Sequence, residues 1–107
     1  MGIGDYDMIE MLNIKKKYPQ IKTCAILGDC SFHYNGGSKD HFKSIMNLDT
    51  VHTFDINGNP DYKLDLQEPL PIEFKENYDL ILDIGTLYCI FDIPSCLKNM
   101  LFMLKSN

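Results

Sequence analysis

Three short apolar runs, at residues 21–27, 51–56 and 78–84, do most to narrow what this chain can fold into. The first of them is continuous and shows little polar–apolar alternation, the pattern of a strand covered on both faces. Segments of helical periodicity separate or follow them. Residues 39–48 bring Phe42, Ile45 and Met46 onto one stripe, and residues 95–104 do the same with Leu97, Met100, Leu101 and Leu104. Strand, helix and strand in alternation imply right-handed crossovers and a parallel sheet, hence an α/β fold.

The other segments fit around that frame. Residues 7–18 predict a leading helix, with Met8, Ile9, Met11, Leu12 and Ile14 gathered toward one face, Lys15, Lys16 and Lys17 at its end and Pro19 stopping it. Residues 28–38 predict a polar loop, long for a strand-to-helix connection. Asn57-Gly58-Asn59-Pro60 is a turn signal. Residues 62–66 alternate and predict a short edge strand, while Pro69 and Pro71 leave room only for a helical turn near residues 72–75. Pro94 suits the first turn of the last helix.

At 107 residues the expectation is one domain over residues 1–107, with the leading helix in 1–20 and βα units from 21 onward. A net charge of -5 with no basic stripe argues against a nucleic-acid partner. No apolar run approaches a membrane span and no signal peptide opens the chain. Cys24, Cys30, Cys89 and Cys96 form no C-x-x-C pair, so the expected setting is reducing and cytoplasmic, without disulfides or zinc. His33, His41 and His52 are scattered and predict no metal site.

Chemistry is expected where the strands end. The first run closes on Gly28 and the second on Asp55, and open α/β sheets bind ligands outside the carboxyl ends of their strands. A carboxylate there can accept from two vicinal ribose hydroxyls, which points to a nucleoside-containing cofactor. A dinucleotide fingerprint is not met, since Gly28-Asp29-Cys30-Ser31-Phe32-His33 supplies only its first glycine. No glycine-lysine-serine step of a P-loop follows either.

The order of these features, a strand ending in Gly28, a strand ending in Asp55, Leu64-Asp65-Leu66 and then residues 78–91, resembles the first half of the class I S-adenosylmethionine-dependent methyltransferases. The resemblance runs from about residue 21 onward. It implies a Rossmann-like three-layer sandwich with a mostly parallel sheet in the order 3-2-1-4, a transferase activity and S-adenosylmethionine as cofactor. By the same resemblance Gly28 and Asp29 approach the methionine part and Asp55 holds the ribose. Ile56 covers the adenine face, Asp65 and Leu66 meet the adenine edge, and Asp83, Gly85 and Thr86 border the methionine end. No catalytic residue is assigned, although Tyr88 and Cys89 stand near the expected methyl group. Plainer roles stay open for Gly28 as a strand-ending turn, for Asp29 as a loop residue making a local turn bond, for Asp65 as a solvent-facing residue on an edge strand and for Asp83 as a strand end held by a hydrogen bond.

Two departures from the family shape the expectations. Asp29-Cys30-Ser31-Phe32 stands where further glycines are usual, and Cβ atoms crowd a close ligand. The resemblance also accounts for four strands of seven, which turns the apolar strand 78–84, otherwise the most central, into an edge. Such an edge predicts either a homodimer with these strands paired antiparallel, or a truncated piece of a longer protein. The alternative function is a noncatalytic nucleoside-binding or assembly protein on a degenerate methyltransferase fold.

Overall fold

The computed structural model describes residues 2–28, 31–32, 38–83, 86–87 and 90–106. In chain order these form β1 (Gly2–Ile3), α1 (Asp5–Lys17), β2 (Thr23–Leu27), β3 (Ser31–Phe32), α2 (Lys39–Ile45), β4 (Thr50–Asp55), β5 (Tyr62–Lys63), a 3-10 turn (Ile72–Phe74), β6 (Leu80–Asp83) and α3 (Ile93–Met103). Four strands make one all-parallel sheet in the order β5-β4-β2-β6, the expected order 3-2-1-4 of a Rossmann-like α/β fold.

Burial explains why β2 lacks alternation. Cys24, Ile26, Val51 and Leu82 join Met8 and Met11 of α1 and Phe42 and Met46 of α2 in one core cluster. Ala25, Leu27 and Phe54 join Phe74, Tyr78 and Cys96 and Met103 of α3 in a second. Successive residues of β2 therefore enter different clusters, and both sets must be apolar. Phe54 is fully buried and meets Tyr62, Phe74 and Tyr78 at ring separations of 5.2, 5.4 and 5.8 Å. Burial of such a ring stabilises the fold by about 2–3 kcal/mol.

Several expectations need correction. β3 lies inside the segment read as loop, and it pairs in parallel with β1, which was not expected at all (Gly2↔Ser31, Ile3↔Phe32). Ile3 is fully buried, and that burial gives the pairing its hold. β5 has two residues where five were expected, because the chain turns over residues 64–67 to carry Leu66 into the core. In α1, Met8 and Met11 face inward, whereas Ile9 and Leu12 are exposed.

The largest correction concerns α3. Its expected apolar stripe is not the buried side: Leu97, Leu101 and Leu104 are exposed, and Cys96, Asn99 and Met103 face inward. Asn99 decides the orientation. Its side-chain amide donates to the carbonyls of Leu66 and Glu68 at 2.7 and 2.8 Å, and an amide so paired belongs inside. Asp92 caps the helix by accepting from the Ser95 N–H at 3.2 Å.

Candidate cofactor site

The parallel register brings the ends of the central strands into rows. Phe54, Leu27 and Asp83 share one row, so Asp55 and Gly28 come next to each other one residue further on. Neighbouring strands lie about 4.8 Å apart. The order reverses between β2 and β6, the point at which open α/β sheets form a ligand crevice. Gly28 stands at one lip of it and Thr86 at the other.

Gly28 has φ +107°, which L side chains rarely adopt, and its N–H donates to the Phe54 carbonyl at 2.7 Å. A Cβ there would lie 2.4 Å from Thr86 Oγ1. That hydroxyl donates to the Leu27 carbonyl at 2.6 Å and so bridges the crevice. Thr86 is itself placed by Asp83, whose Oδ1 accepts the N–H groups of Thr86 and Leu87 at 2.7 and 3.1 Å. In α3, burial raises the Cys96 thiol pKa, and the Asp83 carboxylate adds to the rise. The chain's own threonine thus explains the glycine, and the space facing Gly28 is partly filled.

On the β4 side, Asp55 Oδ1 accepts from the Asn57 N–H at 3.1 Å, and the Asp55 carbonyl takes the Leu64 N–H at 2.9 Å. The second bond carries residues 64 and 65 up beside the end of β4. Asp65 Oδ1 accepts from the Gln67 N–H at 2.9 Å. Ile56 is 54% exposed and offers an apolar surface next to Asp55. Asp55, Ile56 and Asp65 are therefore gathered at one end of the sheet. The Leu66 side chain is in the core and its carbonyl accepts from Asn99, so any contact to a ligand falls to its N–H. Asp29 and Gly85 lie outside the described residues, as do Ile84, Tyr88, Cys89, Cys30 and His33.

The strongest polar geometry lies elsewhere and was not anticipated. Asp79 Oδ2 accepts the N–H groups of Lys22 and Thr23 at 2.8 and 3.1 Å and the Thr23 hydroxyl at 3.2 Å, while the Asp79 N–H donates back to Thr23 Oγ1 at 2.9 Å. Asp61 repeats the device on Thr53, with N–H and hydroxyl contacts at 2.8 and 3.3 Å and a return bond of 2.9 Å. Burial pushes both carboxyls up in pKa. The N–H groups, with Lys39 on Asp61 and Lys105 on Asp79, outweigh it and hold both below the usual value of 3.8. His52, on β4, places Nδ1 2.7 Å from the Tyr78 hydroxyl. Nothing in the spacing of Thr53 and Asp61, or of Thr23 and Asp79, distinguishes them from ordinary surface pairs.

Among the described residues no group of three or more His, Cys, Asp or Glu side chains could hold a metal ion, and no helix is long and apolar enough to cross a membrane. No family model, curated protein or solved structure matches this chain.

Proposed function

We propose that this chain is the cofactor-binding part of a methyltransferase-like transferase domain, with S-adenosylmethionine as its ligand and the cytoplasm as its setting. One observation carries the reading: Asp55 ends β4 directly beside Gly28 at the end of β2, next to the crevice of a parallel sheet. The nucleoside half of the ligand fits the residues present. Asp55 would accept from the ribose hydroxyls, Ile56 would cover one face of the adenine, and Asp65 would meet its amino group. When bound, the cofactor supplies an electrophilic methyl group. What this chain's residues contribute is binding and alignment, the main requirement of a direct displacement.

A second reading is favoured by Thr86. Its side chain stands over Gly28, where a methionine moiety would approach glycine backbone, and this supports a domain that binds nucleosides without transferring a methyl group. Titration calorimetry of the chain with S-adenosylmethionine, S-adenosylhomocysteine and adenosine separates the two. The first reading expects both methionine-bearing ligands to bind more tightly than adenosine, with all binding lost in Asp55→Ala. Equal affinity for adenosine selects the second. No heat from any of the three at high micromolar concentration overturns both.

A further inference from the structure

Among the described residues β6 has one neighbour in the sheet, β2, so its other side is an edge. The chain partly occupies that edge. The Tyr78 N–H donates to the Met103 carbonyl at 3.0 Å and the Lys105 N–H donates to the Tyr78 carbonyl at 2.8 Å, which leaves Tyr78 unavailable to a partner. The Asp79 N–H points the other way, to Thr23 of β2 at 3.1 Å. Peptide groups alternate along a strand, so Leu80 and Leu82 direct theirs outward. At the far end Asp83 Oδ1 accepts from the Thr86 and Leu87 N–H groups. Within β6 the open template is therefore Leu80, Ile81 and Leu82, bounded below by Tyr78.

Two hollows flank it. One, of about 480 Å³, is mostly apolar and is lined by Leu80, Ile81, Leu97, Met100, Leu101 and Leu104, with Asp79 at its margin. The other, of about 280 Å³, is mixed and lies between Leu80 and the α1 side, against Ile14, Tyr18 and Ile21 together with Gln20, Asp79 and Lys105. Above the first runs the stripe of α3 that the fold leaves outside, with Ile93, Leu97 and Leu101 exposed at 42%, 44% and 73%. A strand entering this edge must be short, apolar on both faces and able to end where residues 103–105 begin. β6 itself has these properties.

We infer that the edge is covered by a second copy of the chain, with the two β6 strands antiparallel about a two-fold axis at Ile81. Leu80 then faces the partner's Leu82, and the outward peptide groups of both exchange hydrogen bonds. The partner's Ile81 enters the larger hollow and the partner's Leu82 the smaller. A three-residue ladder alone falls short of the roughly 1,200–2,000 Å² that a stable interface buries. The contact therefore needs α3 against its symmetry mate, which covers Leu97 and Leu101. This register is shorter than the pairing over residues 78–84 expected from sequence, and it does not depend on any cofactor.

Light scattering on a sizing column at micromolar concentration tests it. The expected mass is twice the 12.3 kDa of one chain. Leu101→Glu, at an exposed position, is expected to give single chains with an unchanged circular dichroism spectrum. Leu80→Pro removes an outward donor together with the Leu80 packing against the core, so its circular dichroism spectrum is compared with that of the unaltered chain, and it tests the ladder at a site outside α3. A single-chain mass for the unaltered protein overturns the inference, as does a mass above two chains. A two-chain mass that survives both substitutions overturns it as well.

Discussion

The two edges of the sheet are attached by the same device and finished in opposite ways. At β5, Thr53 clasps Asp61; at β6, Thr23 clasps Asp79, with reciprocal bonds in each pair. Outside the clasps the likeness ends. β5 is two residues long, and Lys39 lies across Asp61 at 2.7 Å, so that edge is short, charged and closed to further pairing. β6 offers three apolar residues beside an apolar helix face. A clasp therefore sets where a strand lies, and what lies outside it decides whether the sheet can grow.

The largest expected effect strikes the upper end of β6, where Thr86 reaches over Gly28. Gly28→Ala must adopt an unfavourable φ and also displace the Thr86 hydroxyl, and the expected destabilisation is about 3 kcal/mol. Thr86→Ala removes the overlapping oxygen and leaves an atom at 3.8 Å, an ordinary contact. In that background the cost of Gly28→Ala is expected to drop by about 1 kcal/mol or more. Urea unfolding followed by circular dichroism at one protein concentration measures both. Strict additivity would show that Thr86 does not explain the glycine.

Next in size are the clasps themselves. Asp79→Ala strands two backbone N–H groups, of Lys22 and Thr23, while Asp61→Ala strands one, of Thr53. At the lower end of the range of about 1–3 kcal/mol for each part-buried donor left unpaired, Asp79→Ala is expected to cost about 2 kcal/mol and Asp61→Ala about 1. If the same urea titrations find Asp61→Ala equal or worse, the two clasps are not graded by the donors they serve.

What could be read in advance follows from the range of the forces involved. Strand positions were legible because each short run is rich in apolar residues, most of all 21–27, whose β2 is covered on both sides, and sheet order followed from the order of features along the chain. Asp55 beside Gly28 followed from two neighbouring parallel strands that end on these residues. The orientation of α3 was not legible: its apolar residues occur nearly all round, and the choice of inward side rests on Asn99 meeting two carbonyls 31 and 33 residues earlier. β1 and β3 were missed because two residues carry no periodicity. The clasps join residues 8 and 56 positions apart, a distance at which single Thr and Asp residues leave no pattern.

The smallest effect tests how the two edges communicate. His52 sits between them, with ring separations of 5.2 Å to Tyr62 and 5.8 Å to Tyr78 and its hydrogen bond to the Tyr78 hydroxyl. Burial lowers its pKa below the usual 6.5. The Asp61 carboxylate opposes that shift, and Lys39 and Lys43 add to it. A base with a depressed folded pKa contributes stability that is complete above 6.5 and lost as the pH falls through the folded value. Asp61 and Asp79, also depressed, lose theirs only below about 3.8. Acidification should therefore weaken the fold in two separate stages. The first is worth no more than about 1 kcal/mol, because His52 is partly open to solvent and its charge is screened there. In His52→Gln, whose amide can still meet Tyr78, the urea midpoint should stay level between pH 7 and pH 5 while the unaltered chain declines. An equal decline in both would place the first stage on another group and leave the two edges unconnected through His52.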